Sequence, residues 1–189
     1  MGNNKYDDWV IIERLGDIVL QNVKGCIVEI GMGASTEVLA NLAKLHDRKQ
    51  YECDTSTRKC EWASNSEKVK HDKLFIYNEK SFKFIENFDD VPALVFIDGN
   101  HYYKYVKKET DFFIPRLAPG GIMFLHDTFI HRRYYERYER KGKKTEAYKV
   151  RQELEKDPRV WCMTFPYTAS YCGLTVVLKK QDERPFYQF

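Results

Sequence analysis

The apolar positions of this chain follow two periods. Trp9, Ile12, Leu15, Ile18, Val19 and Val23 recur every three or four residues, which predicts an entry helix over residues 8–23, packed on the edge of a sheet and weakened or split at Gly16. Continuous apolar runs then alternate with helical spacing. Cys26 to Ile30 predicts a strand covered on both faces, with a helix behind it carrying Val38, Leu39, Leu42, Ala43 and Leu45. A short second strand over residues 50–56, a polar helical or looped stretch over 58–73, and a third strand over 74–77 follow. A helix over 80–88 is broken by Asp89, Asp90 and Pro92. The fourth strand is Ala93 to Asp98, and the helix over 102–117 is interrupted late by Pro115. After Pro119-Gly120-Gly121 comes the fifth strand, Ile122 to Leu125, and later a helix over 146–156. The runs Val160 to Phe165 and Leu174 to Leu178 are joined by a link too short for a crossover helix, so they are antiparallel neighbours. Five strand–helix units and a closing hairpin predict one α/β domain over residues 1–189. Its sheet has seven strands, mostly parallel, with a C-terminal antiparallel hairpin and helices on both faces.

Composition narrows this. A chain of 189 residues holds one domain with a full core but hardly two, and 43% hydrophobic residues place it among globular proteins. The net charge of +3 is too small to argue for nucleic acid by itself. It is unevenly spread, however: residues 131–149 hold eight Lys or Arg against three Glu, interleaved with Tyr134, Tyr135, Tyr138 and Tyr148. Such a segment, counted here as an insertion over 129–149, reads as a lid over the substrate, as a solvated helix face, or as a phosphate-binding patch. The five cysteines are odd in number and form no C-x-x-C, which points to reduced thiols in a cytoplasmic protein. No apolar run nears the roughly 18 residues of a membrane span, and the N-terminus is too polar for a secretory signal.

The candidate chemistry lies where strands end. Gly31 and Gly33 follow the first strand and let the backbone turn tightly and approach a ligand. Ser35 or Thr36 is placed to cap the next helix, whose free N–H groups face whatever sits over the glycines. Asp54 stands 23 positions after Gly31, the spacing at which an acid on a second strand meets a ribose; it is equally placed to cap a helix near Thr57. Asp98 closes the fourth strand, and His126 and Asp127 close the fifth. Parallel sheets bind ligands at this rim. A nicotinamide dehydrogenase is disfavoured, because Thr36 replaces the third glycine of G-x-G-x-x-G.

Glu29-x-Gly31-x-Gly33, followed by Ser35-Thr36, and Asp54 resemble the first two motifs of class I S-adenosylmethionine (SAM)-dependent methyltransferases, a Rossmann-like superfamily. Phe96-Ile97-Asp98-Gly99-Asn100-His101-x-Tyr103-x-x-Val106, then Leu117-x-Pro119-Gly120-Gly121 and His126-Asp127-Thr128, resemble more specifically the family of antibiotic and macrolide-sugar O-methyltransferases and cephalosporin hydroxylase relatives. The resemblance covers roughly residues 26–178. It implies O-methylation of a hydroxyl on a small molecule or sugar. In it, Glu29, Gly31 and Gly33, with the Ser35-Thr36 pair, cradle the methionine end of SAM, Asp54 takes the ribose hydroxyls, and Asn78 and Ser81 lie near the adenine. Asp98, also beside the cofactor, and Asp127 hold a metal such as Mg²⁺. His101 or Asp98 acts as base, with His126 in the catalytic set. Asn100 and His126 stand where many relatives carry acids, which leaves the metal site less negative. A methyltransferase of nucleic acid or protein docking on the basic segment is the alternative, as is a SAM-binding module without catalysis. The first helix and the aromatic tail (Phe186, Tyr187, Phe189) are plausible surfaces for a homo-oligomer.

Overall fold

A computed structural model describes residues 8–129, 145–166 and 172–180. The elements are α1 (Asp8–Asn22), β1 (Cys26–Ile30), α2 (Ser35–Leu45), β2 (Gln50–Cys53), α3 (Thr57–Asn65), β3 (Leu74–Tyr77), α4 (Ser81–Glu86), β4 (Pro92–Ile97), α5 (Tyr103–Arg116), β5 (Ile122–His126), α6 (Ala147–Leu154), β6 (Val160–Phe165) and β7 (Leu174–Lys179). The sheet order is β3-β2-β1-β4-β5-β7-β6. The first five strands pair in parallel, and β7 is antiparallel to both neighbours. The strand order reverses between β1 and β4. At that switch point two crossovers leave in opposite directions and open a crevice at the carboxyl ends.

Side-chain alternation sorts the strands onto two covered faces. Ile27, Leu94, Phe96, Ile122 and Phe124 pack under α1 and α2, with Ile12, Leu20, Leu39 and Leu42. Val28, Ile30, Val95, Ile97, Met123 and Leu125 pack under α4, α5 and α6, with Phe84, Phe113, Ile114 and Val150. This is why the central strands read as unbroken apolar runs.

Helix α1 departs from expectation. It lies not at the sheet edge but over its middle, against α2, β4 and β5. Gly16 does not break it. A Cβ there would come within 2.8 Å of Leu42 and 2.9 Å of Leu94, so the glycine admits a close helix–helix approach. That placement brings the first turn of α1 to the end of β5.

None of the five cysteines forms a disulfide. Burial pushes the Cys53 thiol up to about 12 and Cys162 up to about 11, so both are poor nucleophiles near neutral pH. Among the described residues no helix is long and apolar enough to cross a membrane. Most of the basic insertion (130–144) and the aromatic tail lie outside the described residues.

Candidate active site

β1 exits into Gly31, whose φ is +94°. A Cβ on it would sit 2.5 Å from the carbonyl carbon and oxygen of Asp98. Only glycine therefore lets the ends of β1 and β4 meet at the switch point. Gly31→Ala is expected to lower the unfolding free energy by about 2–3 kcal/mol, from backbone strain plus overpacking, as read by urea unfolding. Gly33 is different: a Cβ there would meet nothing within 4 Å. The protein itself does not need that glycine, and the space above it is open to a ligand.

The residues around this turn divide into two sets. Glu29, Ser35 and Thr36 are wholly buried. The Ser35 hydroxyl donates to the Glu29 carboxylate, Thr36 Oγ1 donates to it at 2.7 Å, and the Gly33 N–H donates to Thr36 Oγ1 at 2.9 Å. Contrary to expectation, neither hydroxyl caps α2, whose N-cap is Ala34 without a side-chain bond. All three side chains lie beneath the cleft and hold the turn from below, instead of facing a cofactor. The cause is parity: Glu29 shares a sheet face with Ile27, under α2. Glu52 is its cross-strand partner, and Gln50 Nε2 donates to Glu52 at 2.5 Å. Burial raises the pKa of both acids. Glu52 rises furthest, through its burial and then the charge of Glu29 facing it.

Asp54 stands at the cleft rim. Its Oδ2 accepts from the Met32 N–H at 2.9 Å and from Lys59 Nζ at 3.0 Å, and its Oδ1 accepts from the Ser56 N–H at 2.7 Å. Asp54 does not cap α3, whose N-cap is Ser56 without a side-chain bond; its carboxylate orders the segment leading into that helix and lines the cleft. Lys59, which also donates to the Met32 carbonyl at 2.5 Å, carried no sequence signal. Asn78 binds the Asp54 carbonyl at 3.1 Å and Thr57 at 2.9 Å, tying β3 to β2.

The cleft has a volume of about 570 Å³ and is walled by Gly31, Asp54, Ser81, Asp98, His101 and Glu109, among others. At its β4–β5 end three side chains converge. One donor atom from each of Asp98, His101 and Asp127 lies within 4.8 Å of the others. His101 Nε2 is 3.4 Å from Asp127 and 3.8 Å from Asp98. Asp127 has φ +57°, a left-handed conformation that aspartate tolerates better than most residues. His126, buried on the α1 face, lies 3.0 Å from Asp98 and 3.4 Å from Asp127 through Nδ1, and 3.5 Å from Asp8 through Nε2, while Trp9 stacks on its ring. Burial alone would lower its pKa. The hydrogen bonds to Asp8 and Asp98 and the charges of Asp98 and Asp127 outweigh burial and push it up to about 10. His126 is thus an imidazolium at neutral pH and cannot accept a proton. It lies between Asp8, Asp98 and Asp127 as a cation that anchors the carboxylates.

Ser81 begins α4 and lines the cleft. Below it is Glu109 of α5, wholly buried beside the Ser81 hydroxyl. Burial pushes its pKa up from 4.5 to about 7, with the Ser81 hydroxyl pulling the other way. The folded protein thus keeps a proton that the unfolded chain has already released, and stability falls as pH rises from 4.5 to 7. The expected loss is about 3 kcal/mol. Urea unfolding of Glu109→Gln is expected to match the wild type near pH 4 and exceed it by about that amount at pH 8. A signal for Glu109 was present in the sequence, since it falls on the apolar stripe Val106, Thr110, Phe113 at helical spacing.

Residues 28–128 match the family described as "Methyltransferase domain". No curated protein matches the chain. Among solved structures, the cofactor-bound Rv0187 from MTB superposes with a TM-score of 0.72 at 14% identity, over 92% of this chain and 80% of that one. The O-methyltransferase TomG from Streptomyces achromogenes, involved in tomaymycin synthesis and solved with SAM, gives 0.72 at 14% identity, over 91% and 79%. The O-methyltransferase from Bacillus cereus, solved with SAH (S-adenosylhomocysteine), gives 0.69 at 18%, over 91% and 80%. At these identities the likeness is one of fold.

Proposed function

Because this chain belongs to the methyltransferase-domain family, we propose that it transfers the methyl group of SAM to a hydroxyl of a small molecule or sugar. The observation that carries the acceptor reading is the convergence of Asp98, His101 and Asp127 at one end of the cleft. The open space over Gly33 and the Asp54 carboxylate at the rim suit a nucleoside cofactor. When bound, SAM supplies an electrophilic methyl on a sulfonium centre.

The chain's residues prepare the hydroxyl. Asp98 and Asp127 form a negative wall held by the His126 cation, and His101, half-buried between them, is placed to take the proton of an acceptor hydroxyl. Holding the oxygen in line contributes a further large factor through positioning. The same three side chains fit a divalent cation, which would polarise the hydroxyl. The imidazole extends the choice from Mg²⁺ to borderline ions such as Mn²⁺.

The test is mass-spectrometric detection of methylated product and S-adenosylhomocysteine from SAM and a panel of sugars, phenols and amines, with Mg²⁺, with Mn²⁺ or with EDTA. The expected result is methylation confined to hydroxyl acceptors. Transfer to amines alone would overturn the acceptor assignment, and full activity in EDTA would remove the cation.

A further inference from the structure

Two acids face each other inside the sheet. Glu29 of β1 and Glu52 of β2 are register partners, and both are wholly buried. Two ionised carboxylates in contact away from water repel each other and lose their hydration, so such a pair is stable only when one member keeps a hydrogen.

The hydrogen bonds around the pair say which member that is. Glu29 accepts on both oxygens, from the Ser35 hydroxyl on one and from Thr36 Oγ1 at 2.7 Å on the other. On Glu52, Oε1 accepts from Gln50 Nε2 at 2.5 Å, while Oε2 meets no donor among the described residues. An oxygen that bears its own hydrogen needs an acceptor instead, and Glu29, to which Glu52 is hydrogen-bonded, supplies it. The order continues outward. An amide that donates to Glu52 turns its oxygen to His71, whose Nε2 lies at 2.9 Å and so carries a hydrogen. Donation thus runs from His71, ahead of β3, through Gln50 and Glu52 to Glu29. From the other side the Gly33 N–H donates to Thr36 Oγ1 at 2.9 Å, and Thr36 donates to Glu29. The two chains meet at Glu29, beneath the turn where the space over Gly33 is open.

We propose that Glu52, as a neutral carboxyl donating to Glu29, is a positioning residue for the cofactor turn. Its hydrogen fixes the Glu29 carboxylate, which gathers Ser35 and Thr36, and Thr36 in turn holds the Gly33 N–H. The inference rests on the SAM reading above. Glu52 touches neither cofactor nor acceptor and acts only through the shape of the turn.

Titration calorimetry with S-adenosylhomocysteine and steady-state kinetics compare the wild type with Glu52→Gln, Glu52→Met and Thr36→Val. The glutamine amide copies a neutral carboxyl, accepting from Gln50 and donating to Glu29, and is expected to bind within about twofold of the wild type. Glu52→Met has no donor for Glu29. It is expected to weaken binding at least about tenfold and to raise KM for SAM in step, with kcat at saturation changed less than about twofold. Thr36→Val removes the last link at nearly constant shape and is expected to reproduce that loss, which keeps the proposal testable if Glu52→Met does not fold. The infrared difference between the wild type and Glu52→Gln is expected to show the carbonyl band of a protonated carboxyl. A carboxylate band in its place, equal losses in Glu52→Gln and Glu52→Met, or wild-type binding by Thr36→Val overturns the inference while leaving SAM as cofactor. Failure of the wild type to bind S-adenosylhomocysteine overturns the SAM reading instead.

Discussion

Asp98→Asn is expected to lower kcat by about a thousandfold while changing the dissociation constant of S-adenosylhomocysteine by less than about fivefold. Asp98 ends β4 at the switch point, and its carboxylate faces both His126 Nδ1 at 3.0 Å and His101 Nε2 at 3.8 Å. The amide keeps the size but loses the negative charge. Under the proposed base role, His101 would then have Asp127 alone to stabilise its proton, and any bound cation would lose one of two anionic ligands. A thousandfold is about 4 kcal/mol of transition-state stabilisation, ordinary for one charged group in a desolvated site. Calorimetry and steady-state kinetics on the same preparation separate the roles. Parallel losses of binding and turnover would show that Asp98 serves the cofactor and not the reaction.

The second large effect is on stability. His126→Gln is expected to destabilise the protein by about 3–5 kcal/mol, measured by urea unfolding near neutral pH. Asp8, Asp98 and Asp127 all approach the His126 ring, which is only 10% exposed at the side chain. Glutamine cannot supply a positive charge, so three carboxylates would face one another across a buried space. Adding Asp8→Asn to His126→Gln removes one of them and is expected to recover part of the loss, a coupling that a simple packing defect would not show. A loss below about 1 kcal/mol for His126→Gln would mean that the imidazolium is not what holds the carboxylates together.

The sequence carried most of the architecture because each element announced itself locally. Apolar runs such as Ala93 to Ile97 and spacings such as Trp9, Ile12 and Leu15 are short-range signals, and glycines and prolines marked the turns between them. The strand-end rule then put Gly31, Asp54, Asp98 and Asp127 on one rim without reference to any distance. Position along a strand does not fix which way a side chain faces once two layers cover the sheet. Glu29, Ser35 and Thr36 belong to the turn as expected, yet they support it from beneath.

By itself, then, the sequence determined the order of the elements, the glycine turn and the acids at the strand ends, since all of these follow from periodicity and position within a strand. The tertiary structure alone decided charge state and partnership. The His126 proton depends on Asp8, 118 positions away, and on an α1 packed over the sheet's middle. The raised pKa of Glu109 depends on its burial, against which the Ser81 hydroxyl of α4 pulls. Ionisation and hydrogen-bond satisfaction are set by neighbours in space and by exclusion of water, and neither is encoded in local spacing.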